Sequence, residues 1–287
     1  MFLSEWTGLS SLQKTLQKSA ELSGLGLFTG AESRVRLVPA AKDTGIIFQR
    51  MDLPGQPEIP ARVEFVAGTP RCTCLGSGGA SVQMVEHLLS ALYALGIDNL
   101  RIEVTGPEIP AGDGSAKEWV RLIDEAGIEE LNASSKILRI EKPVYWSQGD
   151  IQIVALPSPE LRISYTLHYP QSPVIRSQFY SYSDRYREEI APCRTFSLYE
   201  EIAPFIEKGL IKGGGLDNAL VIHGDRVMNP EGARFPDEMV RHKVLDMLGD
   251  LSLVGSFIQG HILSIRSGHA ANVAFGKVLF SQVKEFV

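Results

Sequence analysis

Read as a helix, the stretch Val240 to Leu251 (VRHKVLDMLGDL) sets His242, Asp246 and Asp250 four residues apart along one face. Val240, Val244, Met247, Leu248 and Leu251 make an apolar stripe on the opposite side. A helix buried by that stripe presents an imidazole and two carboxylates on its other surface, ligand types that a divalent metal such as zinc accepts. The same spacing also serves a solvated face on which His242 and Asp246 are an ordinary pair one turn apart. A second helix tips the balance. Glu86-His87 stands immediately before the leucines of a periodic segment, and catalytic zinc takes three protein ligands and leaves one position for water. His87, His242 and Asp246 complete such a set, with Glu86 adjacent to take the water's proton. That arrangement requires two domains facing each other across the site.

Other residues carry weaker signals. His269, in Gly268-His269-Ala270, falls at a strand-to-loop junction and is expected to be partly exposed. It is either an ordinary loop histidine or a general acid kept protonated by a carboxylate, for which Asp250 is the candidate. Lys243 is either a solvated lysine or an anchor for developing negative charge or phosphate. Thr195, in the run Cys193-Arg194-Thr195-Phe196 at a strand end, offers a hydroxyl to an oxyanion, though threonines are common at strand ends. Lys212-Gly213-Gly214-Gly215-Leu216 lacks the spacing of a phosphate-binding loop and reads as a turn. The apolar face of Ile202, Phe205, Ile206 and Leu210 reads first as core, and His168, His223 and His261 as structural.

The elements that must position these groups fall into two halves. Short apolar or alternating runs read as strands at Gly24–Phe28, Ser33–Pro39, Gly45–Arg50, Ile59–Val66, Thr73–Gly76 and Asn99–Gly106. Val85, Leu88, Leu89, Leu92 and Leu95 recur at helical spacing, with Gly96 as the C-cap; Ser115 to Glu118 reads as a capping box opening a helix closed by Gly127. Leu131–Lys136 is a short polar linker. Strands then recur through KILRIEKPVYW, DIQIVALP, ELRISYTLHY and RSQFYSYS, followed by helical periodicity at Leu198–Leu210 and Pro236–Leu253, a strand at His261–Arg266 and a short terminal helix. The expectation is an α+β protein of two similar domains, 11–132 and 136–287, each a mainly antiparallel sheet packed with two helices. The metal helix spans 237–253, and any kinship between the halves is architectural, since no sequence repeat links them.

The 287 residues can bury a sizeable core, and 44% hydrophobic with 22% charged residues is ordinary soluble composition. A formal net charge of -6 argues against general nucleic-acid binding. No apolar run reaches the roughly 18 residues of a membrane span. The first ten or so residues read as a loose lead-in without the apolar core of a secretory signal. Three cysteines, Cys72, Cys74 and Cys193, indicate neither a disulfide framework nor a cysteine-zinc site. A cytoplasmic monomer is the default expectation.

Taken together, the motifs resemble one family. VEHLLSAL (85–92), GIDNLRIEVTGPEIPAGDGSA (96–116), RTF (194–196), LDNALV (216–221), NPEGARF (229–235), RHKVLDMLGDL (241–251) and SGHAAN (267–272) are similar to those of the zinc-dependent UDP-3-O-acyl-N-acetylglucosamine deacetylases, from about Ser11 to the C-terminus. The resemblance implies zinc, with ferrous iron as the alternative, on His87, His242 and Asp246. It implies Glu86 as general base, His269 as general acid oriented by Asp250, Thr195 on the oxyanion, Lys243 lining the substrate site and Phe196 against the sugar. It implies a site between two α+β domains, the committed step of lipid A synthesis as the reaction, and an insert at about 196–222 forming an apolar passage for the acyl chain. That moves Ile202, Phe205, Ile206 and Leu210 from core to passage lining.

The chain departs from the family pattern in places. GLFTG carries Phe28 where a histidine is typical, Gln83-Met84 precede VEH where a threonine is common, and Cys193 precedes RTF where a small residue is usual. Two further readings stand beside the deacetylase: a zinc amidohydrolase for another N-acetyl sugar, and a non-catalytic descendant that binds a nucleotide sugar or a protein, motivated by Phe28.

Overall fold

Period-two alternation builds the first sheet: along Glu32–Pro39, Ser33, Val35 and Leu37 are buried while Glu32, Arg34 and Arg36 face water. The computed structural model describes residues 12–284, and the expected lead-in lies outside them. It places that strand in a five-stranded sheet of order Ala20–Leu25, Glu32–Pro39, Leu100–Thr105, Ile46–Arg50, Glu58–Pro60. A second five-stranded sheet has the order Val144–Gln148, Ile151–Leu156, His261–Ile265, Arg162–Tyr169, Arg176–Tyr182. The two have the same topology. In each, the last strand in sequence sits at the centre, antiparallel to one neighbour and parallel to the other, while the outer pairs are antiparallel.

The helices among the described residues are α1 (Glu86–Ala94), α2 (Lys117–Ala126), α3 (Tyr186–Glu189), α4 (Tyr199–Glu207), α5 (Glu238–Ser252) and α6 (His269–Lys284). In the first half α1 precedes the central strand and α2 follows it; in the second half α5 and α6 do the same. The two α+β halves expected from the sequence are therefore present, and their kinship lies in architecture. α1 and α5 are topological counterparts and pack directly on one another. One apolar core, from Leu16 to Phe280, runs through both halves.

That packing removes the solvated-face alternative for α5. Its polar face is no surface: His242, Asp246 and Asp250 are as buried as Val240 and Leu248, because α1 covers them. Several boundaries also differ. The run at Gly24–Phe28 is strand only to Leu25, where the buried Glu108 carboxylate takes the amides of Phe28 and Thr29 and folds the chain into a turn. The run at Ile59–Val66 breaks into a strand ending at Pro60 and a 3-10 turn at Val63–Phe65, whose Val63 amide bonds the Leu253 carbonyl across the halves. Leu131–Ser134 is no linker but part of the strand Ile128–Ser134, paired with Leu12–Leu16. The capping box at α2 does not form: the Ser115 hydroxyl donates to Asp113 and accepts the amide of Lys117, the first residue of the helix, while Ala116 holds the N-cap position without a side-chain bond. The terminal helix runs 16 residues.

Candidate active site

The apolar side of α1 anchors the first turn of the helix in the core, and that turn carries Glu86 and His87. α5 crosses it so closely that a β-carbon on Gly249 would lie 2.1 Å from the Glu86 carbonyl oxygen. Any other residue there would force the helices apart. Across this contact one ligand atom each from His87, His242 and Asp246 lies within 4.8 Å of the others. The two imidazoles meet edge to face at 5.0 Å between centroids.

The surroundings of these side chains fix which atoms face inward. His242 Nδ1 lies 3.0 Å from the Cys193 carbonyl, which only accepts, so Nδ1 donates there and Nε2 is the ring atom turned to the cluster. Lys243 donates to Asp246 Oδ2 at 2.8 Å. The other oxygen, Oδ1, is buried and has no hydrogen-bond partner, although it lies 3.2 Å from His242 Nε2 and 3.8 Å from His87 Nε2. An ionised buried oxygen left unpaired between two imidazole nitrogens is costly in a protein interior unless a cation takes it up. The residues present fit a divalent metal with nitrogen and oxygen donors.

Electrostatics agree. Burial, reinforced by His242, pushes His87 down to about 3, so it is neutral and able to ligate. Burial alone would raise the Asp246 carboxyl, but His242, Lys243 and His269 hold it well below the usual carboxylate range. Facing the cluster, burial pushes Glu86 up to about 8, the setting of a group that takes and releases a proton near neutrality.

His269 begins α6 and points its Nε2 to 3.9 Å from Glu86 Oε1. It is partly exposed, as expected, but it opens a helix instead of a loop. Its Nδ1 donates to Asp250 Oδ2 at 2.9 Å, joined there by Asn272 Nδ2 at 2.9 Å. Burial works against its charge, yet Asp250 and Asp246 outweigh it and raise His269 to about 10.

A family model described as UDP-3-O-acyl N-acetylglycosamine deacetylase matches residues 13–281. The chain belongs to this deacetylase family. Among curated relatives, the proteins named UDP-3-O-acyl-N-acetylglucosamine deacetylase from Chlamydia pneumoniae and Chlamydia felis (strain Fe/C-56) are 48% and 44% identical, each over 96% of this chain and 99% of the relative. The one from Chlamydia muridarum is 45% identical over 96% of this chain and 97% of the relative.

In this member of the deacetylase family, the cluster floors a cavity of about 480 Å³. Thr195, Phe196 and Lys243 line it with Glu86, His87, His242, Asp246 and His269. Thr195 is seated by its amide, which bonds the Gly114 carbonyl at 2.7 Å across the halves. The Lys243 ammonium lies 5.4 Å from the centre of the Phe196 ring. Much of the remaining lining is apolar, with Leu198, Ile202, Ile206, Ile211 and Val221 beside Phe28 and Met228. Of the residues expected to line a passage, Ile202 and Ile206 line this cavity, and Phe205 and Leu210 are not among its lining. Phe205 is half-buried under the guanidinium of Arg71 at 4.6 Å, and Leu210 is 52% exposed beyond the end of α4. The glycine run at 213–215 is a built strap, not a loose turn: the amides of Lys212 and Gly213 bond the carbonyls of Phe28 and Leu27.

Four features had not been singled out in the sequence. Asn272 sits one helical turn after His269, a spacing that could have betrayed it. The Cys193 carbonyl is held in place by Arg194, which is 1% exposed and bonded through its amide and guanidinium to the fully buried Glu238. Thr73 reaches Asp250 across 177 residues and had no local signal. Glu108 shapes the turn that carries Phe28. His168, His223 and His261 pair with Ser177, Glu200 and Ser164, away from the cluster. A second cavity, of about 380 Å³ and lined by Tyr93, Asn99 and Phe257, lies elsewhere on the seam and holds none of the cluster residues.

Proposed function

We propose that the protein hydrolyses the N-acetyl group of UDP-3-O-acyl-N-acetylglucosamine, releasing acetate and the free-amine sugar nucleotide, with zinc on His87, His242 and Asp246. In this reading it acts as a monomer in the cytoplasm, at the committed step of lipid A synthesis. The observation that carries the proposal is the unpaired Asp246 Oδ1 between two imidazole nitrogens, in a cavity that Glu86, His269 and several apolar side chains also line.

A zinc ion at this site supplies Lewis-acid polarisation of the amide carbonyl and lowers the pKa of water toward about 7. Glu86 takes a proton from the attacking water as oxygen bonds to the acetamide carbon. Of its two oxygens Oε2 already accepts the Thr73 amide, so Oε1 is the basic one. The Thr195 hydroxyl donates to the oxyanion of the tetrahedral species. His269 Nε2 delivers its proton to the amine nitrogen as the carbon–nitrogen bond breaks, and Asp250 holds the imidazole for that transfer. Lys243 keeps Asp246 ionised and presents positive charge to the substrate. Phe196 offers its ring to the sugar face, and Ile202 and Ile206 receive the acyl chain.

The deciding experiment is acetate release from UDP-3-O-acyl-N-acetylglucosamine by the purified protein, before and after chelation. Activity lost on chelation and restored by one equivalent of zinc is the expected result. Undiminished activity after complete metal removal would overturn it. Restoration by ferrous iron in preference to zinc would reassign the metal and leave the reaction standing.

A further inference from the structure

We infer that Thr73 is a positioning residue for both proton-transfer groups: one residue ties the carboxylate of Glu86 to the Asp250–His269 pair. The inference rests on the roles proposed above for Glu86 and His269. Thr73 is fully buried and is no part of the cavity wall, so it acts through its neighbours and not on substrate.

Its contacts divide between backbone and side chain. The amide donates to Glu86 Oε2 at 3.0 Å. The hydroxyl lies 2.5 Å from Asp250 Oδ1 and 3.3 Å from His269 Nδ1. A hydroxyl has one proton to give. His269 Nδ1 donates its own to Asp250 Oδ2, so the Thr73 proton goes to Oδ1. Asp250 thus accepts from Thr73 on one oxygen and from His269 and Asn272 on the other, a full set for a carboxylate that is 0% exposed.

The backbone explains how one residue faces both groups. Thr73 sits at the entry to the strand Cys74–Ser77, where successive side chains alternate. Cys72 and Cys74 turn together to the other side, with their sulfurs 3.7 Å apart, and Thr73 is left pointing at α5. Without the hydroxyl, Asp250 Oδ1 is buried with no donor; the carboxylate rotates to find one and takes the His269 ring with it. Glu86 keeps its bond to the amide whatever the side chain. The effect of the hydroxyl therefore falls on the acid, and that of the amide on the base.

The test compares Thr73→Val, which keeps shape and amide, with Thr73→Ser, which keeps the hydroxyl. Thr73→Val should lower kcat about 10- to 100-fold, the cost of a proton donor displaced by a fraction of an ångström, with KM and bound metal unchanged. Thr73→Ser should restore most of the loss. Added to His269→Ala, Thr73→Val should cost nothing more, because the residue through which it acts is gone. Nitrogen-15 spectra of metal-free, histidine-labelled protein, with His269 assigned from His269→Gln, give a readout independent of turnover. The Nδ1–H signal of His269 should shift in Thr73→Val and return in Thr73→Ser. Unchanged kcat with an unchanged Nδ1 signal, a loss that Ser does not rescue, or full additivity with His269→Ala would each overturn the inference. If the unaltered protein released no acetate, the proposed function would fall and the nitrogen-15 comparison alone would decide the link between Thr73 and His269.

Discussion

Gly249 and Glu86 meet backbone against backbone: a β-carbon at 249 would lie 2.1 Å from the Glu86 carbonyl oxygen. This contact lets α1 and α5 approach closely enough for His87 to join His242 and Asp246. Gly249→Ala is therefore expected to act on the site without touching a ligand. Overpacking of this kind costs about 1–3 kcal/mol, read as a lower denaturant midpoint. The displaced His87 should also weaken metal binding by roughly tenfold, as changes to the support of a metal site do. Unchanged metal affinity with an unchanged midpoint would show that the helices separate at no cost.

Metal and proton roles separate cleanly by substitution. Metal at 100 times its dissociation constant should stabilise the folded protein by about 2.7 kcal/mol, a shift that a thermal melt detects. On the proposed mechanism, in which the carboxylate acts on water, Glu86→Ala should keep that stabilisation and lose turnover. His87→Ala and Asp246→Ala should lose both. Wild-type turnover in Glu86→Ala would remove Glu86 from the base role.

The metal-free protein should lose stability as pH rises through neutrality. Glu86, from an ordinary 4.5, is raised to about 8 by burial. His269, from 6.5, is raised to about 10 against its burial by Asp250 and Asp246. Each binds its proton more tightly folded than unfolded, so each contributes stability present below the unfolded value and lost as pH climbs through the folded one. The two windows, 4.5 to 8 and 6.5 to 10, overlap between 6.5 and 8, where the decline should be steepest. His87, lowered to about 3, works the other way and is already neutral there. Denaturant unfolding of metal-free protein across this range checks the sign. Glu86→Gln should flatten the decline below pH 8, and His269→Ala should remove its upper part.

The apolar part of the cavity lining gives a contrast within one helix and its exit. Ile202 lines the cavity while Leu210 stands outside it. Ile202→Trp should exclude part of a long acyl chain; each methylene left in water forfeits about 0.8 kcal/mol, so loss of two raises KM roughly tenfold. Leu210→Trp should leave KM unchanged. Equal effects of the two would place the acyl chain elsewhere.

The cluster of His87, His242 and Asp246 was legible because its spacing is local and its residue types distinctive. His242 and Asp246 lie one turn apart on a helix, and the Glu86-His87 pair precedes an apolar run. That the two halves face each other across them followed from combining residues of both helices; how closely α1 covers α5 did not, because helical periodicity does not encode a tertiary contact. Thr73 escaped for the same reason: its partner is 177 residues away. Phe205 and Leu210 fall outside the cavity lining because helical spacing carried the stripe past Glu207, where α4 ends, and does not tell a cavity-facing position from its neighbour. The linker at 131–136 misled because an edge strand with two wet faces has the composition of a loop.

The shared topology of the two halves has a consequence for how the chain comes apart. Ser135–Lys136 follows the strand that completes the first half, so a break there leaves both five-stranded sheets whole. Neither fragment would own a complete ligand set, and each would expose the helix face meant for the other. If the proposed metal assignment holds, the mixed fragments should reassemble into a heterodimer that chelators loosen and a divalent cation tightens, measurable as a metal-dependent dissociation constant between fragments. The ion would then act as a rivet as well as a reagent, holding two halves in register by the same atoms that the reaction needs.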